Sequence, residues 1–467
     1  MSVNGFPTGA VASANGARDP VVEQARQLHA SNRGILGLGA IGRALGNMLR
    51  HHEGPRHLHA AFRFPARLHH RVSRTLIEEY SNVGDLIIDP FVGCGTNQLE
   101  AAVLGRSSIG FDVDPLSVFI TSAKLGSRDL SQRQLGLYAD RLMKRLEPYS
   151  RRRNYDKLLF RDITKLNGAV RELEFSSASL ELLQNWFRNY VIEDLAIILG
   201  EIRRTRAAEG LKRIATLAFA SAIRGCSDAD PVPVSGLEYT RRMRELDDRG
   251  RRINPFEIFE RRLRQITAQA TEFSASAEHD LEHRTIQHDV TLPWPIQDRA
   301  DLIIFSPPYL NAVEYSRRHK LEMAWLKLYE THDEFVTLAN HYIGHRASGP
   351  VAIEDAPFGD AYIDRVRQTL RDLDYTRARA FIKYCLQLKT FFKHAKRRMK
   401  RNSRLIVVVG DNTTAGVRLS SDRLMAAVAD PLRLVEQHRY SLRNRYMTYS
   451  RHNGADIAVE RILVFQK

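Results

Sequence analysis

The segment from Leu86 to Asp112 constrains the fold more than any other part of the chain. Leu86–Asp89 is a short apolar run, Pro90–Thr96 contains two glycines, Asn97–Leu104 has a helical pattern, and Ser108–Asp112 is a second apolar run that ends in an acid. Short apolar runs joined by a helical segment indicate parallel strands with a crossover helix. The sequence therefore predicts an α/β fold, with a unit of strand, glycine loop, helix and strand at this point.

The glycine-containing loop and the acid at the end of this segment suit a nucleotide-like ligand. Gly93 and Gly95 allow a ligand to approach the backbone closely at the amino end of the next helix. Asp112 lies where an acid binds the ribose diol in such sites. The loop lacks the lysine of a phosphate-binding P-loop, which disfavours ATP. A purely structural strand–helix–strand unit is the alternative interpretation.

A second informative stretch reads DLIIFSPPYLNAVEY and begins with the apolar run Leu302–Phe305. This run is predicted to be a buried strand that ends at Ser306. Pro307 and Pro308 offer no N–H and hold φ fixed, so the carbonyls of this loop point in defined directions. Tyr309 adds a flat aromatic face with a polar tip. The arrangement suits a planar heterocycle held by its exocyclic amine; a proline-terminated strand without a ligand is the alternative.

The chain is strongly basic, with 70 Lys and Arg residues against 54 Asp and Glu residues and a formal net charge of +16. This excess favours a polyanionic partner over an ordinary basic protein. The cysteines Cys94, Cys226 and Cys385 form no CxxC pair, which argues against a disulfide scaffold or structural zinc and fits a reducing cytoplasm. No apolar run reaches the roughly 18 residues of a membrane span, and no signal peptide is recognised.

Residues 116–283 carry little strand signal and are predicted to form a helical insertion in the α/β core. Helical periodicity is found in Ser131–Leu146, Leu180–Arg206, Leu211–Arg224 and Pro255–Thr271, with the loop Cys226–Glu238 before the last of these. Arginine clusters are frequent and, with the net charge, predict a basic surface, although each alone is typical of a solvated helix face. They are Arg151–Arg153, Arg203–Arg204, Arg241–Arg242 and Arg251–Arg252.

The α/β pattern resumes after residue 284. We expect a third strand at Ile286–Asp289 that ends in an acid. Residues 313–345 and 359–400 are predicted to be helical, and the second of these segments to end in the basic stretch Lys393–Arg404. A buried strand is expected at Leu405–Val409, and a closing strand pair at 432–441 and 456–466.

Two further features are interpreted as non-functional. Gly37–Gly42 reads GLGAIG, but a dinucleotide site needs a preceding strand and a later acid, which are missing here. The histidines His57, His59, His69 and His70 match no zinc-site spacing, so we predict solvated or loop histidines and no metal.

Three motifs resemble those of S-adenosylmethionine-dependent amino methyltransferases that act on DNA. They are DPFVGCGT at Asp89–Thr96, GFDVDP at Gly110–Pro115 and FSPPY at Phe305–Tyr309. The closest group is the cytosine-N4 methyltransferases, whose catalytic motif is typically SPPY. The segment Phe62–Phe91 resembles the block that precedes the cofactor motif in such enzymes.

The resemblance implies an α/β fold with a Rossmann-like methyltransferase core at residues 56–115 and 284–467. Such a core is a mostly parallel, twisted sheet with helices on both faces. The resemblance does not cover residues 1–55, expected to be a partly mobile N-terminal extension, or the helical insertion at 116–283, expected to recognise DNA. A long insertion between the second and third core strands is unusual for the family, so the position of a recognition domain does not carry over.

The resemblance also assigns site residues. The cofactor S-adenosyl-L-methionine would contact Phe64, Pro65, Asp89, Phe91, Gly93, Gly95, Thr96, Asp112 and Asp289. Within this set, Phe64 and Pro65 would close over the methionine part, Asp112 would bind the ribose hydroxyls and Asp289 would lie near the adenine. The target base would be held by Ser306, Pro307, Pro308 and Tyr309. Asn97 stands where a second threonine is common in the family.

The implied activity is methylation of the exocyclic N4 amine of cytosine in double-stranded DNA, by base flipping and direct attack. No Pro-Cys dipeptide occurs, so the nucleophile for ring-carbon methylation is missing. An adenine-N6 enzyme, an RNA amine methyltransferase and a non-catalytic nucleic-acid-binding protein are the alternatives. The resemblance allows a cognate restriction or defence-system partner, and a cytoplasmic protein that associates with the nucleoid when bound to DNA.

Overall fold

The computed structural model describes residues 58–65, 67–153, 155, 168–231, 236–310, 315–344, 357–441 and 459–467. The strands in these ranges are β1 (Leu86–Asp89), β2 (Ser107–Asp112), β3 (His283–Gln287), β4 (Ala300–Phe305), β5 (Met399–Gly410), β6 (Asn412–Thr414), β7 (Val417–Leu419), β8 (Arg433–Ser441) and β9 (Val459–Gln466).

The described helices precede, connect and cover these strands. They are α1 (His70–Tyr80), α2 (Thr96–Val103), α3 (Pro115–Gly126), α4 (Gln132–Arg152), α5 (Gly168–Glu172), α6 (Ser177–Trp186), α7 (Asn189–Arg204), α8 (Glu209–Cys226), α9 (Arg241–Asp248), α10 (Pro255–Ser276), α11 (Tyr315–Arg318), α12 (Lys320–Trp325), α13 (His332–His341), α14 (Ala361–Leu373), α15 (Tyr375–Arg398) and α16 (Ser421–Val428). Short 3₁₀ turns occupy Leu58–Ala60 and Ser127–Asp129.

Seven strands form one sheet in the order β3-β2-β1-β4-β5-β9-β8. The first five are parallel, and β9 is antiparallel to both β5 and β8. The strand order reverses between β1 and β4, where Ile88 pairs with Ile109 on one side and with Ile303 on the other. Ligands of open α/β sheets bind at the carboxyl ends of the strands at such a point. The predicted Rossmann-like methyltransferase fold is confirmed.

Apolar side chains alternate between the two faces of the sheet, so each face has its own core. On one face, Ile88, Phe111 and Phe305 belong to a cluster that includes residues of α14, α15 and α16. On the other face, Ile87 and Ile304 pack in a cluster with α1. The central strands are therefore buried from both sides, which explains why they read as continuous apolar runs.

Helices α3 to α8 and α10, which lie between β2 and β3, share one buried cluster with α2, with residues 58–62 and with α12. Trp325 of α12 lies at the centre of this contact and is fully buried. Its ring meets Phe175, Phe187 and Phe219 edge-on at centroid distances of 5.3, 5.9 and 5.7 Å. The helical layer is thus packed against the chain segment that follows the Pro-Pro loop.

Three predicted helical segments are divided. The described part of 313–345 contains three short helices, α11, α12 and α13. The segment 180–206 breaks between α6 and α7, where Phe187 is extended and packs on Trp325. The buried guanidinium of Arg188 at this break pairs with Asp247 at 2.8 Å. The segment 359–400 breaks at Asp374, whose carboxylate accepts from the Arg377 amide at 3.1 Å and caps α15. Tertiary contacts at Phe187 and Arg188 and capping by Asp374 override the helical periodicity at these last two breaks.

Two predicted boundaries are wrong. β3 ends at Gln287, so Asp289 lies in the turn beyond the strand and not at its last position. The basic helix end ascribed to 393–404 is helical only to Arg398, and β5 begins at Met399. Met399 and Arg404 pair with β4, and this pairing extends the strand into a segment whose composition is typical of a helix end.

None of the described helices has both the length and the apolar character needed to cross a bilayer. The prediction of solvated or loop histidines is wrong for His59, which is buried in the 3₁₀ turn Leu58–Ala60 and lies beside Glu100, with Nε2 and Oε1 2.6 Å apart. The GLGAIG stretch and His57 fall outside the described residues. The described residues contain no cluster of three or more metal-ligating side chains.

Candidate active site

A cleft opens at the carboxyl ends of β1, β2 and β4. It brings together nine of the predicted site residues: Phe64, Asp89, Phe91, Gly93, Thr96, Asp112, Asp289, Ser306 and Pro308. The other four, Pro65, Gly95, Pro307 and Tyr309, are not among the residues that line it.

The glycine loop has a shape that side chains at its two glycines would disturb. Gly93 has φ +51°, and a Cβ there would lie 3.1 Å from the ring of Phe64. Gly95 has φ +85° and caps α2, and a Cβ there would lie 2.8 Å from Cγ2 of Thr121. Both backbone conformations lie in the left-handed region that favours glycine. The two glycines therefore leave the loop without side chains at these positions, and the Phe64 ring packs directly against the backbone at Gly93.

Two side chains of helix α3 donate hydrogen bonds to backbone carbonyls of this loop. The Thr121 hydroxyl donates to the Gly93 carbonyl at 3.2 Å, and Lys124 Nζ donates to the Cys94 carbonyl at 2.9 Å. Lys124 is fully buried, and burial lowers the pKa of its ammonium to about 8. The sequence did not indicate this role, because one lysine in an apolar helix carries no distinguishing pattern.

Asp112 ends β2 and faces the cleft. Its Oδ2 accepts from the Gly93 amide at 2.8 Å, and its Oδ1 accepts from the Asp114 amide at 3.0 Å. Burial and the nearby Asp114 carboxylate raise the pKa of Asp112 to about 7, against the opposing effect of these bonds. Each carboxylate oxygen retains further acceptor capacity, so the group can bind the loop and a ligand hydroxyl at the same time.

Asp89 ends β1 and is almost fully buried. Its Oδ1 accepts from the Phe91 amide at 3.0 Å, and its Oδ2 accepts from Asn97 Nδ2 at 2.8 Å. Burial raises the pKa of Asp89 to about 7. The same Asn97 nitrogen donates to the Ile304 carbonyl at 3.1 Å. Asn97, noted in the sequence only as a departure from the family pattern, is thus a structural centre of the site.

Asp289 lies at the other end of the cleft and is held by two partners. Its Oδ1 accepts from the Thr291 amide at 2.9 Å and from the Thr291 hydroxyl at 2.6 Å, and its Oδ2 lies 2.9 Å from His341 Nδ1. Burial raises the pKa of Asp289, but the bonds from Thr291 and His341 outweigh it and hold the pKa below the usual value. His341 comes from α13, which sequence reasoning did not connect with this site.

The Ser-Pro-Pro-Tyr loop follows β4 and is clamped at several points. The Tyr384 hydroxyl donates to the Pro308 carbonyl at 3.0 Å, and the Gly410 amide donates to the Tyr309 hydroxyl at 3.0 Å. Tyr309 is 9% exposed, so its ring is packed into the protein in this conformation. Ser306 stays half-buried and lines the cleft. The loop therefore presents Ser306 rigidly and uses the Tyr309 hydroxyl internally.

Aromatic side chains form one wall of the cleft. The Phe64 ring stacks on Tyr315 at 5.6 Å and meets His319 at 5.0 Å. His319 Nδ1 lies 3.4 Å from the buried carboxylate of Asp114, which caps α3. Tyr315 and His319 come from the helices that follow the Pro-Pro loop, and their contribution was not predicted.

The residues present fit S-adenosylmethionine. Gly93 provides a cradle that a Cβ would fill against Phe64, and Asp112 offers acceptor oxygens for ribose hydroxyls. A buried ring nitrogen, His288 Nε2, lies in the cleft wall and forms no hydrogen bond among the described residues. A polar ligand in the cleft can satisfy such a group, which is otherwise costly to bury.

The chain matches the model of a DNA methylase family, N6_N4_Mtase, over residues 42–120. This range contains the glycine loop and Asp112. Type II methyltransferase M.MjaII of Methanocaldococcus jannaschii is 30% identical over 86 residues, which are 18% of this chain and 16% of the relative. M.MthZI of Methanothermobacter thermautotrophicus is 51% identical over 39 residues, 8% of this chain and 11% of that one. These local matches span less than a fifth of either relative.

A longer match exists to type II methyltransferase M.MvaI of Kocuria varians, which is 22% identical over 395 residues, 78% of this chain and 79% of the relative. Among solved structures, the rRNA methyltransferase aviRa from Streptomyces viridochromogenes aligns over 86% of this chain and 87% of that one, at 9% identity and a TM-score of 0.30.

In its family match and its relatives the chain is similar to S-adenosylmethionine-dependent DNA amino methyltransferases, and its sheet has the strand order of a Rossmann-like core. These findings do not separate cytosine-N4 from adenine-N6 enzymes within that class.

Proposed function

We propose that this protein methylates the exocyclic N4 amine of cytosine in double-stranded DNA, with S-adenosylmethionine as the methyl donor. One observation carries the proposal: Ser306, at the end of β4, lines the same cleft as the glycine loop and Asp112. The residues proposed to bind the cofactor and the residue proposed to bind the target base thus line one cleft. It lies where the strand order reverses between β1 and β4, the point at which α/β enzymes bind their ligands.

The cofactor residues are proposed from their positions in the cleft. Asp112 binds the ribose hydroxyls, Gly93 allows close approach of the methionine part, and Phe64 covers it. Asp289, oriented by Thr291 and His341, lies toward the adenine. When bound, the cofactor supplies an electrophilic methyl group, so the protein mainly positions and polarises.

The target amine is a poor nucleophile, because its lone pair is delocalised into the ring. We propose that the Ser306 hydroxyl and the Pro307 carbonyl accept its hydrogens and favour a pyramidal nitrogen. The Pro308 carbonyl accepts from Tyr384, which fixes the loop. The base must leave the duplex to reach the cleft. Stacking of Tyr309 on the base stays a prediction that needs a different placement of its ring from the buried one.

The choice of cytosine rests on Ser306. Serine is short and neutral and both donates and accepts, so it can engage an amine and a neighbouring ring nitrogen. An ionised aspartate accepts only and is repelled by the acceptor nitrogen beside the amine. Because adenine presents a comparable nitrogen, the adenine-N6 activity is the alternative product of the same site.

We propose that the helical layer and the loop 226–238 contact DNA. Arg224 donates to the Asp230 and Gly236 carbonyls at 3.2 and 2.6 Å, and residues 232–235 of this loop lie outside the described residues. Most arginines of the clusters noted in the sequence form ion pairs with acidic side chains. They are therefore less available for contacts with DNA phosphates than the sequence suggested. The ion pairs are Arg151–Glu147, Arg153–Asp194, Arg204–Glu201, Arg241–Glu245, Arg242–Asp230 and Arg251–Asp247. A restriction or defence-system partner also stays a prediction.

The test is nucleoside mass spectrometry of DNA incubated with the protein and isotopically labelled S-adenosylmethionine. N4-methylcytosine is expected. N6-methyladenine alone would contradict the base but keep the amine chemistry, and 5-methylcytosine would contradict both. Label found only in RNA offered in parallel would redirect the proposal to an RNA substrate. Long-read sequencing of DNA from cells that express the protein then identifies the methylated sequence.

A further inference from the structure

Glu100 is a buried carboxylate in the middle of α2, the helix that begins at the glycine loop. It is 2% exposed, and every residue from Thr96 to Ala102 of this helix is buried. Glutamate is almost never fully buried unless it is paired. No local pattern distinguishes this residue in the sequence, so its partners in the fold are what indicate its role.

Both oxygens of Glu100 are engaged, and they lead to two different segments. Oε1 lies 2.6 Å from Nε2 of His59, which belongs to residues 58–65, a stretch that we call the cover segment. Oε2 accepts from Nε of Arg74 in α1, also at 2.6 Å. One carboxylate therefore joins α2 to the cover segment on one side and to α1 on the other.

The hydrogen bond between Glu100 and His59 has a defined direction. Burial raises the pKa of Glu100, but the bonds from His59 and Arg74 outweigh it and hold the pKa below the usual value. An ionised carboxylate only accepts, so Nε2 of His59 is the donor. Burial lowers the pKa of His59, which favours the neutral ring, and its Nδ1 has no hydrogen-bond partner among the described residues. Glu100 thus orients this ring through its hydrogen bond.

The cover segment also carries Phe64, the ring that lies against the glycine loop. A Cβ at Gly93 would lie 3.1 Å from the Phe64 ring. Arg67, which lines the cleft, donates to the His59 carbonyl, so the backbone of this histidine is held as well. Glu100 lies on the helix that continues the glycine loop, whereas Phe64 and His59 share the cover segment. The bond between Glu100 and His59 therefore fixes the position of Phe64 relative to the loop that it covers.

We propose that Glu100 is a positioning residue that holds Phe64 over the glycine loop through its hydrogen bond to His59. The inference rests on the proposed role of Phe64 as the cover of the methionine part of the cofactor. Glu100 is not among the residues that line the cleft, so it acts without touching the cofactor. When the bond is absent, Phe64 covers the loop in only a fraction of the molecules, and the apparent affinity for the cofactor falls by that fraction.

The bond from Arg74 distinguishes this role from a merely structural one. Arg74 donates to the same carboxylate at the same distance of 2.6 Å, but no described residue of α1 lines the cleft. Loss of Arg74 therefore removes a stabilising contact of Glu100 without releasing the cover segment. If Glu100 only stabilised the protein, the loss of either partner would have the same effect on cofactor binding.

A double-mutant cycle tests the proposal with the full chain, in calorimetric titrations with S-adenosylmethionine. Glu100→Met keeps the length of the side chain, removes both acceptor oxygens and should weaken binding roughly tenfold, as expected for a hydrogen bond to a charged group. In the Phe64→Ala background there is no ring to position, so the same change should alter the affinity by about twofold at most. Arg74→Gln is the matched control and should alter the affinity by about twofold at most in either background.

Variants of His59 give an independent measurement where Glu100→Met does not fold. Glutamine carries an amide N–H donor at the end of its side chain, so His59→Gln should retain most of the affinity. His59→Leu has no donor and should weaken binding as much as Glu100→Met does. Chemical denaturation of each variant gives its free energy of unfolding and shows that it is folded under the conditions of the titration.

An equal loss of affinity from Glu100→Met in the wild-type and Phe64→Ala backgrounds would overturn the positioning role. A loss in Arg74→Gln equal to that in Glu100→Met would overturn it too. Either result leaves the proposed function standing, provided that the wild-type protein binds the cofactor and methylates DNA. A wild-type protein that binds the cofactor but does not methylate DNA would overturn the proposed function alone. A loss that depends on Phe64 and is absent from His59→Gln supports the positioning role.

Discussion

Asn97 and Asp89 are joined by a buried hydrogen bond of 2.8 Å, from Asn97 Nδ2 to Asp89 Oδ2. The same nitrogen donates to the Ile304 carbonyl at 3.1 Å, and Asn97 Oδ1 accepts from Ser73 Oγ at 2.6 Å. One side chain of α2 thereby links β1, which leads into the glycine loop, with β4, which leads to Ser306. The cofactor side and the base side of the cleft are held together by this residue.

Asn97→Ala should therefore destabilise the protein by about 1–3 kcal/mol, because it leaves buried polar groups on both strands without a partner. Chemical denaturation followed by fluorescence or circular dichroism gives the free energy of unfolding. Asn82→Ala is the control, since Asn82 is exposed and its loss should cost under ~0.5 kcal/mol. Equal stabilities of the two variants would refute the central role of Asn97.

Gly93→Ala should weaken S-adenosylmethionine binding by about tenfold or more. The residue has φ +51°, and the added Cβ would push on Phe64 at 3.1 Å, so the variant must strain the loop or displace the aromatic cover. Calorimetric titration measures the dissociation constant. Gly126→Ala is the matched control, because no atom lies within 4 Å of a Cβ at that position in α3. An unchanged affinity for Gly93→Ala would show that the loop does not approach the cofactor.

Cofactor affinity should rise with pH through about pH 7. Burial and the Asp114 carboxylate raise the pKa of Asp112 to about 7, so the group is partly protonated in the free protein near neutrality. A ligand that carries a positive charge and hydroxyl donors favours the ionised carboxylate, lowers its pKa and releases protons on binding. Titrations in buffers of different ionisation enthalpy count these protons.

The variant Asp112→Asn tests the assignment of this effect. Its affinity should be lower by roughly 1–3 kcal/mol, and the part of the proton release that comes from Asp112 should vanish. Proton release equal to that of the wild type would assign the titration to another group, with Asp89 as the first candidate because burial raises its pKa to about 7 as well.

Ser306→Ala should retain cofactor binding and lose turnover by roughly 100-fold, as expected for removal of one preorganised hydrogen-bonding group at the reacting centre. The measurements are a calorimetric titration with the cofactor and a labelled methyl-transfer assay on DNA under single-turnover conditions. Ser420→Ala, at a serine that does not line the cleft, is the control. Loss of cofactor affinity in Ser306→Ala would contradict the separation of the two halves of the site.

Much of the fold could be predicted because its signals are local. The strands β1, β2, β4 and β5 are short apolar runs bounded by an acid, glycine or proline, and burial on both faces of a parallel sheet requires such runs. The end of β3 and the start of β5 were misplaced, since neither carries a local signal. His283–Gln287 is half-exposed, and Met399–Arg404 is basic and becomes a strand only by pairing with β4.

The same distinction applies to the candidate site. Asp89, Gly93, Asp112 and Ser306 could be named from the sequence, because each lies within a few residues of a strand end and the carboxyl ends of parallel strands share one edge. Lys124, which donates to the Cys94 carbonyl of the loop, lies within a helix and not near a strand end, so no such local signal identifies it. Contacts such as this are recognisable only after distant segments are packed together.

The sequence by itself determined the class of fold, the edge of the sheet that carries the site and the residue types at the strand ends. The tertiary structure decided which groups surround them: His341 beside Asp289, Tyr315 against Phe64, and His59 beside Glu100. The physical reason is the separation, along the chain, of the residues that interact. Strand and turn preferences depend on neighbours in the chain, whereas charge clusters, stacked rings and buried hydrogen bonds depend on residues that the folded core brings together from far apart.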